Sequence, residues 1–540
     1  MSTATIPDPL PRDAAEPEVP GPRRAGPGLR IAALLALGLY IVAFRVHTRS
    51  EPPECDHGTY AVIGHELLRG RSLYSDLWDI KPPTIYATYA AAEVLVGYGK
   101  VELLALGIFA ALVTLIGVER AGEALGRGGG LWAAAFWAVA CNDPDLQANQ
   151  PNSEVFINAL MVWAFVALTR ISSGTGGSTL AIAAGVLLAV ASTYKQVVVF
   201  VAFTLALAHL ATMRPKRTAV TQVVLMALPG LLLWVGMGAY FAATGRYDIY
   251  WRTNFLFSTR YSGNLLDNVA TALIPSGVDA LLATKAILIP LSLLAIVPFL
   301  SRWKEQALRA HALMAAWLAG TLVAVAAPGR FWPHYYQLWL PPLAVAAGWG
   351  TAAVVRGLWS RDRLLAWVPG LFVLANCLWI ELPHSQVAPD QWSFRKYGNG
   401  FIASERFGRT LAGLLKPNET VYQWGPHPEV YFASGSSPPV GVLWDDPLYE
   451  GPMQDELSAR TLADLEAHPP DLIAVYTTKR NAGQHHPVLD WIEDRYRQVP
   501  GSHSADEELP ELYVRPDGPL EARLKPFDRN AFRDSGGGPR

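Results

Sequence analysis

The string Glu54-Cys55-Asp56-His57-Gly58-Thr59-Tyr60, followed by Trp78-Asp79-Ile80-Lys81-Pro82-Pro83, stands between the apolar run Ile31–Val46 and a longer series of apolar runs. It sets acids, a histidine and a lysine directly beside sequence suited to hydrocarbon. Ionisable groups are costly at that depth, and chains that keep them there generally use them. The string therefore reads as a working loop on one face of a membrane, with a first span before it and a bundle behind it.

Composition agrees with that division. Of 540 residues, 51% are hydrophobic and 17% charged, yet 1–28 and 382–540 are polar, so the apolar sequence is concentrated in the middle. Such segregation marks a polytopic α-helical membrane protein, here with about 11–12 transmembrane helices. The net charge of −2 offers nothing to nucleic acid, and the basic residues fall in short clusters between apolar runs, where they report topology. Ile31–Val46 lacks a small-residue cleavage site after it and reads as a retained span.

The run Thr84–Tyr98 sets the parity of everything after it. If it re-enters or lies along the surface, then Arg23/Arg24, Arg120/Arg127, Arg170, Arg214–Arg217, Arg302/Lys304/Arg309 and Arg356/Arg361/Arg363 share one side, expected to be cytoplasmic. The first loop (47–82) and the C-terminus then lie outside a plasma membrane. The expected organisation is a disordered N-terminus over 1–28, a membrane domain over 29–381, a soluble α/β domain over 382–516 and a disordered tail over 517–540. Within the soluble domain, strands are expected at Thr420–Trp424, Leu472–Thr477 and Leu512–Val514, and helices at Phe401–Leu415 and Leu457–His468. Cys55, Cys141 and Cys377 are too few for a disulfide framework or a zinc site, although Cys55 and Cys141 share the outer face, where oxidation could join them. No internal repeat is evident, which weighs against a transporter built from two matching halves.

This topology brings five polar clusters to one face: Asp56-His57; Asp79 with Lys81; Asn142-Asp143-Pro144-Asp145 through Glu154; Tyr194-Lys195-Gln196; and Arg330 through His334-Tyr335-Tyr336. Lys81, Lys195 and Arg330 are cations at the outer boundary, suited to a phosphate held at headgroup depth. Asp56 beside them could take a proton from an acceptor hydroxyl during displacement at a sugar carbon, while the cations stabilise the departing phosphate. Tyr60, Tyr74, Trp78, Trp332 and Tyr335 could stack on a sugar or an isoprenoid, or form an interfacial belt. Lys81 and Lys195 could instead snorkel to the headgroups. One of Asp143 and Asp145 could simply end a helix before Pro144. His57, His65 and His334 fit hydrogen-bonded interface positions better than a metal triad, so the one cofactor to weigh is a divalent metal.

The strings Asp56-His57-Gly58-Thr59-Tyr60-Ala61, Glu66-Leu67-Leu68-Arg69-Gly70 and Trp78-Asp79-Ile80-Lys81-Pro82-Pro83 resemble the GT-C membrane glycosyltransferases of the protein O-mannosyltransferase and aminoarabinose-transferase type. So do Asn152-Ser153-Glu154-Val155-Phe156, Tyr194-Lys195-Gln196, Gly329-Arg330 with His334-Tyr335-Tyr336, and Gln423-Trp424-Gly425-Pro426. The resemblance implies that Asp56 is the catalytic base, that Tyr60 is a donor-site tyrosine, and that Lys81 and Lys195 lie near the donor phosphate. Two positions depart from the family pattern: His57 stands where an acid usually follows the aspartate, and Ile80 precedes Lys81 where some relatives have a carboxylate.

The expected function is inverting transfer of a sugar from a polyprenyl-phosphate donor to an extracytoplasmic protein, lipid or polysaccharide. Asp56 would be catalytic; Tyr60, Lys81, Lys195, Arg330 and His334 would hold the donor; His57, Asp79, Asp145, Glu154 and Tyr335 would bind the acceptor or support the site. The competing readings are a transporter or flippase of lipid-linked sugars and a non-catalytic scaffold whose outer domain binds glycan.

Overall fold

The computed structural model describes residues 25–172, 177–273, 285–300, 305–477, 483, 485–502, 509–516 and 518–524. The N-terminal tail to residue 24 with its Arg23/Arg24 pair, the Arg302/Lys304 pair and the tail beyond 524 lie outside those residues. Among the described residues, seven helices are long and apolar enough to cross a bilayer: Pro27–His47, Lys100–Leu125, Ser153–Ile171, Lys216–Ala243, Leu308–Ala326, Pro333–Leu358 and Leu365–Gln386. Shorter apolar helices, among them Gly129–Ala140, Ser178–Ser192 and Val198–Thr212, pack between them.

The first nine helices are α1 (Pro27–His47), α2 (Cys55–Leu68), α3 (Thr84–Val96), α4 (Lys100–Leu125), α5 (Gly129–Ala140), α6 (Ser153–Ser172), α7 (Ser178–Ser192), α8 (Val198–Thr212) and α9 (Lys216–Ala243). Helix α9 turns Leu231, Leu232 and Val235 outward. Acyl chains solvate such a face, and the helix satisfies its own backbone. In α6, by contrast, Ile157, Val162, Phe165 and Leu168 are fully enclosed by protein.

The parity question has a geometric answer at α3. Its 13 residues reach only about 20 Å at 1.5 Å per residue. Just before it, Trp78 donates its backbone N–H to Gly441 of the soluble domain at 2.8 Å. Just after it, Tyr98 packs edge-on against Phe432, and Lys100 pairs with Glu405 at 2.6 Å, both again in that domain. A helix with both ends against the same soluble domain lies along one face of the bundle. Its exposed Val94, Leu95 and Val96 suit an interfacial position.

The soluble domain carries a four-stranded sheet in the order β1-β2-β4-β3, with β1 Val421–Trp424, β2 Leu472–Val475, β3 Arg497–Gln498 and β4 Glu511–Val514. β1 and β2 run parallel, Val421 opposite Leu472, and β4 is antiparallel to both β2 and β3. Three of these strands, and the helices Gly400–Leu414 and Gln454–Ala467, lie where the sequence places them. β3 is only two exposed residues long and carries no alternation to read. The tail is corrected from its start: instead of disorder, Pro519–Leu524 is a helix that buries Leu520 and Leu524 and binds Arg523 to Glu419. All three cysteines are free thiols, so Cys55 and Cys141 are not joined.

Helix α2 is wedged between the two halves. A Cβ at Gly58 would stand 2.8 Å from the Cα of Glu429 in the soluble domain, and one at Gly64 would stand 2.9 Å from the backbone N of Ala90 in α3. Glycine is needed at both approaches. Trp78 in turn shares a core with Phe257, Tyr422 and Trp424, which joins the first loop, a membrane-domain helix and the sheet.

With Cys55, Cys141 and Cys377 replaced by alanine, single cysteines at exposed Arg69 and Arg409 should react with an impermeant maleimide from the same side of sealed vesicles, and one at Arg120 from the opposite side. Labelling of Arg69 and Arg120 from one side would mean that α3 crosses.

Candidate functional site

Asp56 sits in the first turn of α2, where the helix dipole favours an acid. Lys81 precedes the two prolines that start α3, and its carbonyl accepts from the Tyr74 hydroxyl at 2.8 Å. Its Nζ stands 3.7 Å from Asp56 Oδ2. The Asp56 side chain is 29% exposed and that of Lys81 11%, so the carboxylate remains accessible while the ammonium is nearly enclosed. Burial pushes the Asp56 carboxyl up, but Lys81, then His334, Lys195 and His57, outweigh it and hold the group well below the usual carboxylate range. Burial likewise works against the Lys81 charge, and Asp56, with Tyr335, Asp79 and Glu154, together more than restore it.

The other acid of this turn behaves differently. Burial, then the Asp56 charge, push Glu54 well above its ordinary value. His57 is pushed down to about 3, chiefly by burial. Glu54 Oε1 and His57 Nδ1 lie 3.1 Å apart, and burial disfavours the charged form of each. Asp56 is left as the ionised acid of the turn.

Lys195 is corrected: it is not a free cation at the boundary. It forms a buried ion pair with Glu154 at the head of α6, and its Nζ lies 4.2 Å from the centre of the Tyr335 ring. Its environment satisfies the charge without snorkelling. His334 meets Gln147 Oε1 through Nδ1 at 3.1 Å, and Gln147 takes a positive φ of 55° to reach it. Asp79 is buried and accepts from the Tyr86 hydroxyl at 2.5 Å; burial pushes its carboxyl up. Tyr60 is fully enclosed, edge-on to Tyr86 and Tyr89, and so is corrected from a stacking platform to a packing residue. Its hydroxyl nevertheless lies in the field of Asp56, Asp79 and Glu154, with no hydrogen-bond partner among the described residues. Tyr74 and Trp78 are likewise buried and present no face to a sugar.

Asp56, Lys81, Lys195, Glu154, His334 and Tyr335 thus converge, with His57 and Asp79 beside them. Asp145 does not join them: it pairs with Arg395 of the soluble domain at 3.3 Å. Asp143 accepts from the Leu146 N–H at 2.7 Å within the turn that follows α5, rather than ending a helix. Arg330 is exposed and stacks 4.2 Å over Tyr261, whose field reaches Tyr335, so it stands at the rim. Sequence reading misses Lys285, whose Nζ lies 4.0 Å from the centre of the Tyr336 ring. It also misses Glu54 and Gln147 as partners. A lysine opening an apolar run was the one available signal for Lys285. No group of three or more His, Cys, Asp or Glu residues able to hold a metal ion occurs among the described residues. His57, His65 and His334 have separate partners, His65 bonding Glu93 at 2.7 Å.

No protein-family model and no curated protein sequence matches the chain. Solved structures do match its fold. ArnT from Cupriavidus metallidurans bound to undecaprenyl phosphate superposes with a TM-score of 0.57 at 13% identity, over 91% of this chain and 98% of that one. The archaeal oligosaccharyltransferase AglB from Archaeoglobus fulgidus, in complex with an inhibitory peptide and a dolichol-phosphate, gives 0.52 at 10% identity over 82% and 69%. The arabinofuranosyltransferase AftD from Mycobacteria gives 0.51 at 16% identity over 92% and 42%. The fold is that of the GT-C membrane proteins, with a small C-terminal sheet.

The Lys195–Glu154 pair is 9% and 1% exposed. Glu154→Gln alone should lower stability by about 3–5 kcal/mol, because a buried ammonium loses its partner. Glu154→Gln with Lys195→Met should recover most of that loss in thermal unfolding of the purified protein. A double variant as unstable as the two single losses added would show that the residues do not act as a pair.

Proposed function

We propose that the chain is an inverting glycosyltransferase that moves a sugar from a polyprenyl-phosphate donor to a hydroxyl acceptor on the outer face of the membrane. The observation that carries this reading is the half-open Asp56 carboxylate 3.7 Å from the enclosed Lys81 ammonium, at the boundary between bundle and soluble domain. The neighbours support it: one holds undecaprenyl phosphate and another a dolichol-phosphate together with a peptide.

The step follows from that geometry. The acceptor oxygen attacks the anomeric carbon and its proton passes to Asp56. The bond from that carbon to the phosphate oxygen breaks, and the electron pair leaves with the phosphate, whose charge Lys81 stabilises. Attack opposite the leaving group inverts the centre. Lys195, fixed by Glu154, adds field from behind. Arg330 and Lys285, each lying over an aromatic ring with no carboxylate partner among the described residues, would meet the phosphate from the rim. His334 and Tyr335 line the donor side, whereas His57, neutral and tied to Glu54, positions the start of α2.

A carboxylate held so low is a weak base in the free protein. A donor phosphate supplies a second anion to Lys81 and draws the ammonium from Asp56. Donor binding would thereby raise the basicity of Asp56 when an acceptor has something to attack. A flippase would use these cations to hand a headgroup across the bundle, but Lys195 is closed in a buried pair with Glu154. A glycan-binding scaffold would need a separable outer domain, and here the sheet shares its core with the first loop.

Asp56→Asn should reduce transfer from a polyprenyl-phosphate sugar by about 100-fold or more with folding intact, since the amide keeps the shape and cannot take the proton. In the pH dependence of kcat/KM, the acidic limb set by Asp56 should lie below pH 4 in the parent protein. Lys81→Met removes the largest influence holding Asp56 down, so the limb should move to higher pH. A limb that stays put, or near-normal turnover in Asp56→Asn, would remove Asp56 as the base. A panel of polyprenyl-phosphate sugars tested with purified protein identifies the donor.

A further inference from the structure

A polar cavity of about 40 Å³ opens at the outer boundary between the end of α1 and the start of α4, and neither Asp56 nor Lys81 lines it. Its walls include Arg45, Arg49, Lys100, His57, Asn149 and Gln150. Arg45 carries the inference. It is 3% exposed, and its Nη2 donates to the carbonyls of Cys141 and Ala148 at 2.8 and 2.7 Å. Those two bonds use the two hydrogens of Nη2 and leave the remaining three of the five guanidinium N–H groups. Neither Nε nor Nη1 has a partner among the described residues. Nη1 lies on the cavity side, 3.3 Å from where a Cβ of Gly107, itself in the cavity wall, would stand.

The charge in the wall is net positive, with Arg45, Arg49 and Lys100 against Glu51, whose field also reaches Arg45. Glu51 is the acid in the wall, and Lys396 already pairs with it at 2.5 Å. Lys100 has Glu405 at 2.6 Å and the Ser50 carbonyl at 2.6 Å, which leaves its third N–H. Arg49 is exposed at the mouth, and its guanidinium has one hydrogen bond among the described residues, to the Val46 carbonyl at 3.4 Å. A buried guanidinium with three of its five N–H donors idle, a second guanidinium at the entrance and room for several waters describe a receptor for an oxyanion. Leu103 and Leu104 complete the wall, and Val46 and Val101 beside it are exposed, so the mouth opens at acyl-chain level.

We propose that this cavity is a second anion site, which binds a phosphate group through Arg45 and Arg49 on the α1–α4 side of the protein, separately from the donor phosphate at Lys81. The phosphate is either that of an anionic lipid headgroup or free inorganic phosphate; the chemistry of recognition is shared. The site does not depend on the proposed glycosyl transfer. It lies one residue from the base, through His57, so its occupancy bears on the start of α2.

The test uses full-length protein in a Lys81→Ala background, which removes the phosphate contact assigned above. Two probes are measured, inorganic phosphate by thermal shift in detergent, and phosphatidylglycerol by native mass spectrometry of protein released from nanodiscs, against phosphatidylcholine discs. Binding of either should persist in that background, and Arg49→Gln should weaken it about tenfold, the effect of one charge-assisted contact. Arg49 is exposed, so its substitution should leave the fold intact; Arg49→Gln with Lys100→Gln should weaken binding further. Retention of phosphatidylglycerol without a phosphate shift assigns a headgroup, and a phosphate shift alone assigns the free ion. Binding absent from the Lys81→Ala protein, or indifferent to both substitutions, overturns the proposal and leaves a water-filled cavity.

Discussion

Everything around the site depends on one constraint: an ionised carboxylate has to be kept at the edge of a hydrocarbon slab without being neutralised. Asp56 alone would take up a proton there, as its neighbour Glu54 is driven to do. Lys81 prevents it from 3.7 Å away, and Lys81 can do so because its backbone is fixed by Tyr74 on one side and two prolines on the other. The two residues are 25 positions apart in sequence, so the pair exists only if the first loop folds back over α2. The Trp78 bond to Gly441 and the shared aromatic core hold it there.

The rest of the boundary charge follows the same rule with a different outcome. Lys195 with Glu154, and Lys396 with Glu51 and Asn149, are closed sets in which each charge has a partner. In a low dielectric such sets fix geometry more than they add stability, because desolvation offsets the attraction. Asp56 differs in being partly open, and Arg45, Arg330 and Lys285 differ in forming no ion pair among the described residues. Partners that come from outside the chain are expected at those four positions.

How much of this was legible can be judged residue by residue. The apolar runs, the polar first loop and most of the sheet were readable because each is a local pattern. Asp56 and Lys81 stood out because no local role explains both beside hydrocarbon. The partners were not readable. Nothing in Tyr194-Lys195-Gln196 shows that Glu154, 41 residues earlier, closes on Lys195. Nothing in Tyr60 shows that Tyr86 and Tyr89 enclose its ring. Nothing in the run Ile31–Val46 shows that the Arg45 guanidinium is buried; only the loop folded over it does that. Pairing at long range is set by tertiary packing, and single-sequence periodicity carries no term for it.

The soluble domain is therefore more than an appendage to a membrane bundle. Its Glu429 backbone presses on Gly58, two residues from Asp56, closely enough that no side chain fits between them. Its Glu405 and Lys396 reach back to Lys100 and Glu51 on the rim of the Arg45 cavity. Helix α2 thus receives the membrane bundle on its α3 face and the soluble domain on the other, and the base sits at its tip. Any ligand that shifts the domain by a fraction of an ångström moves the N-terminus of α2 against Lys81. Because their attraction falls with separation and rises as water is excluded, a small shift there changes both the charge on Asp56 and the reach of Lys81. The position of the domain and the charge on Asp56 are consequently coupled through one short helix.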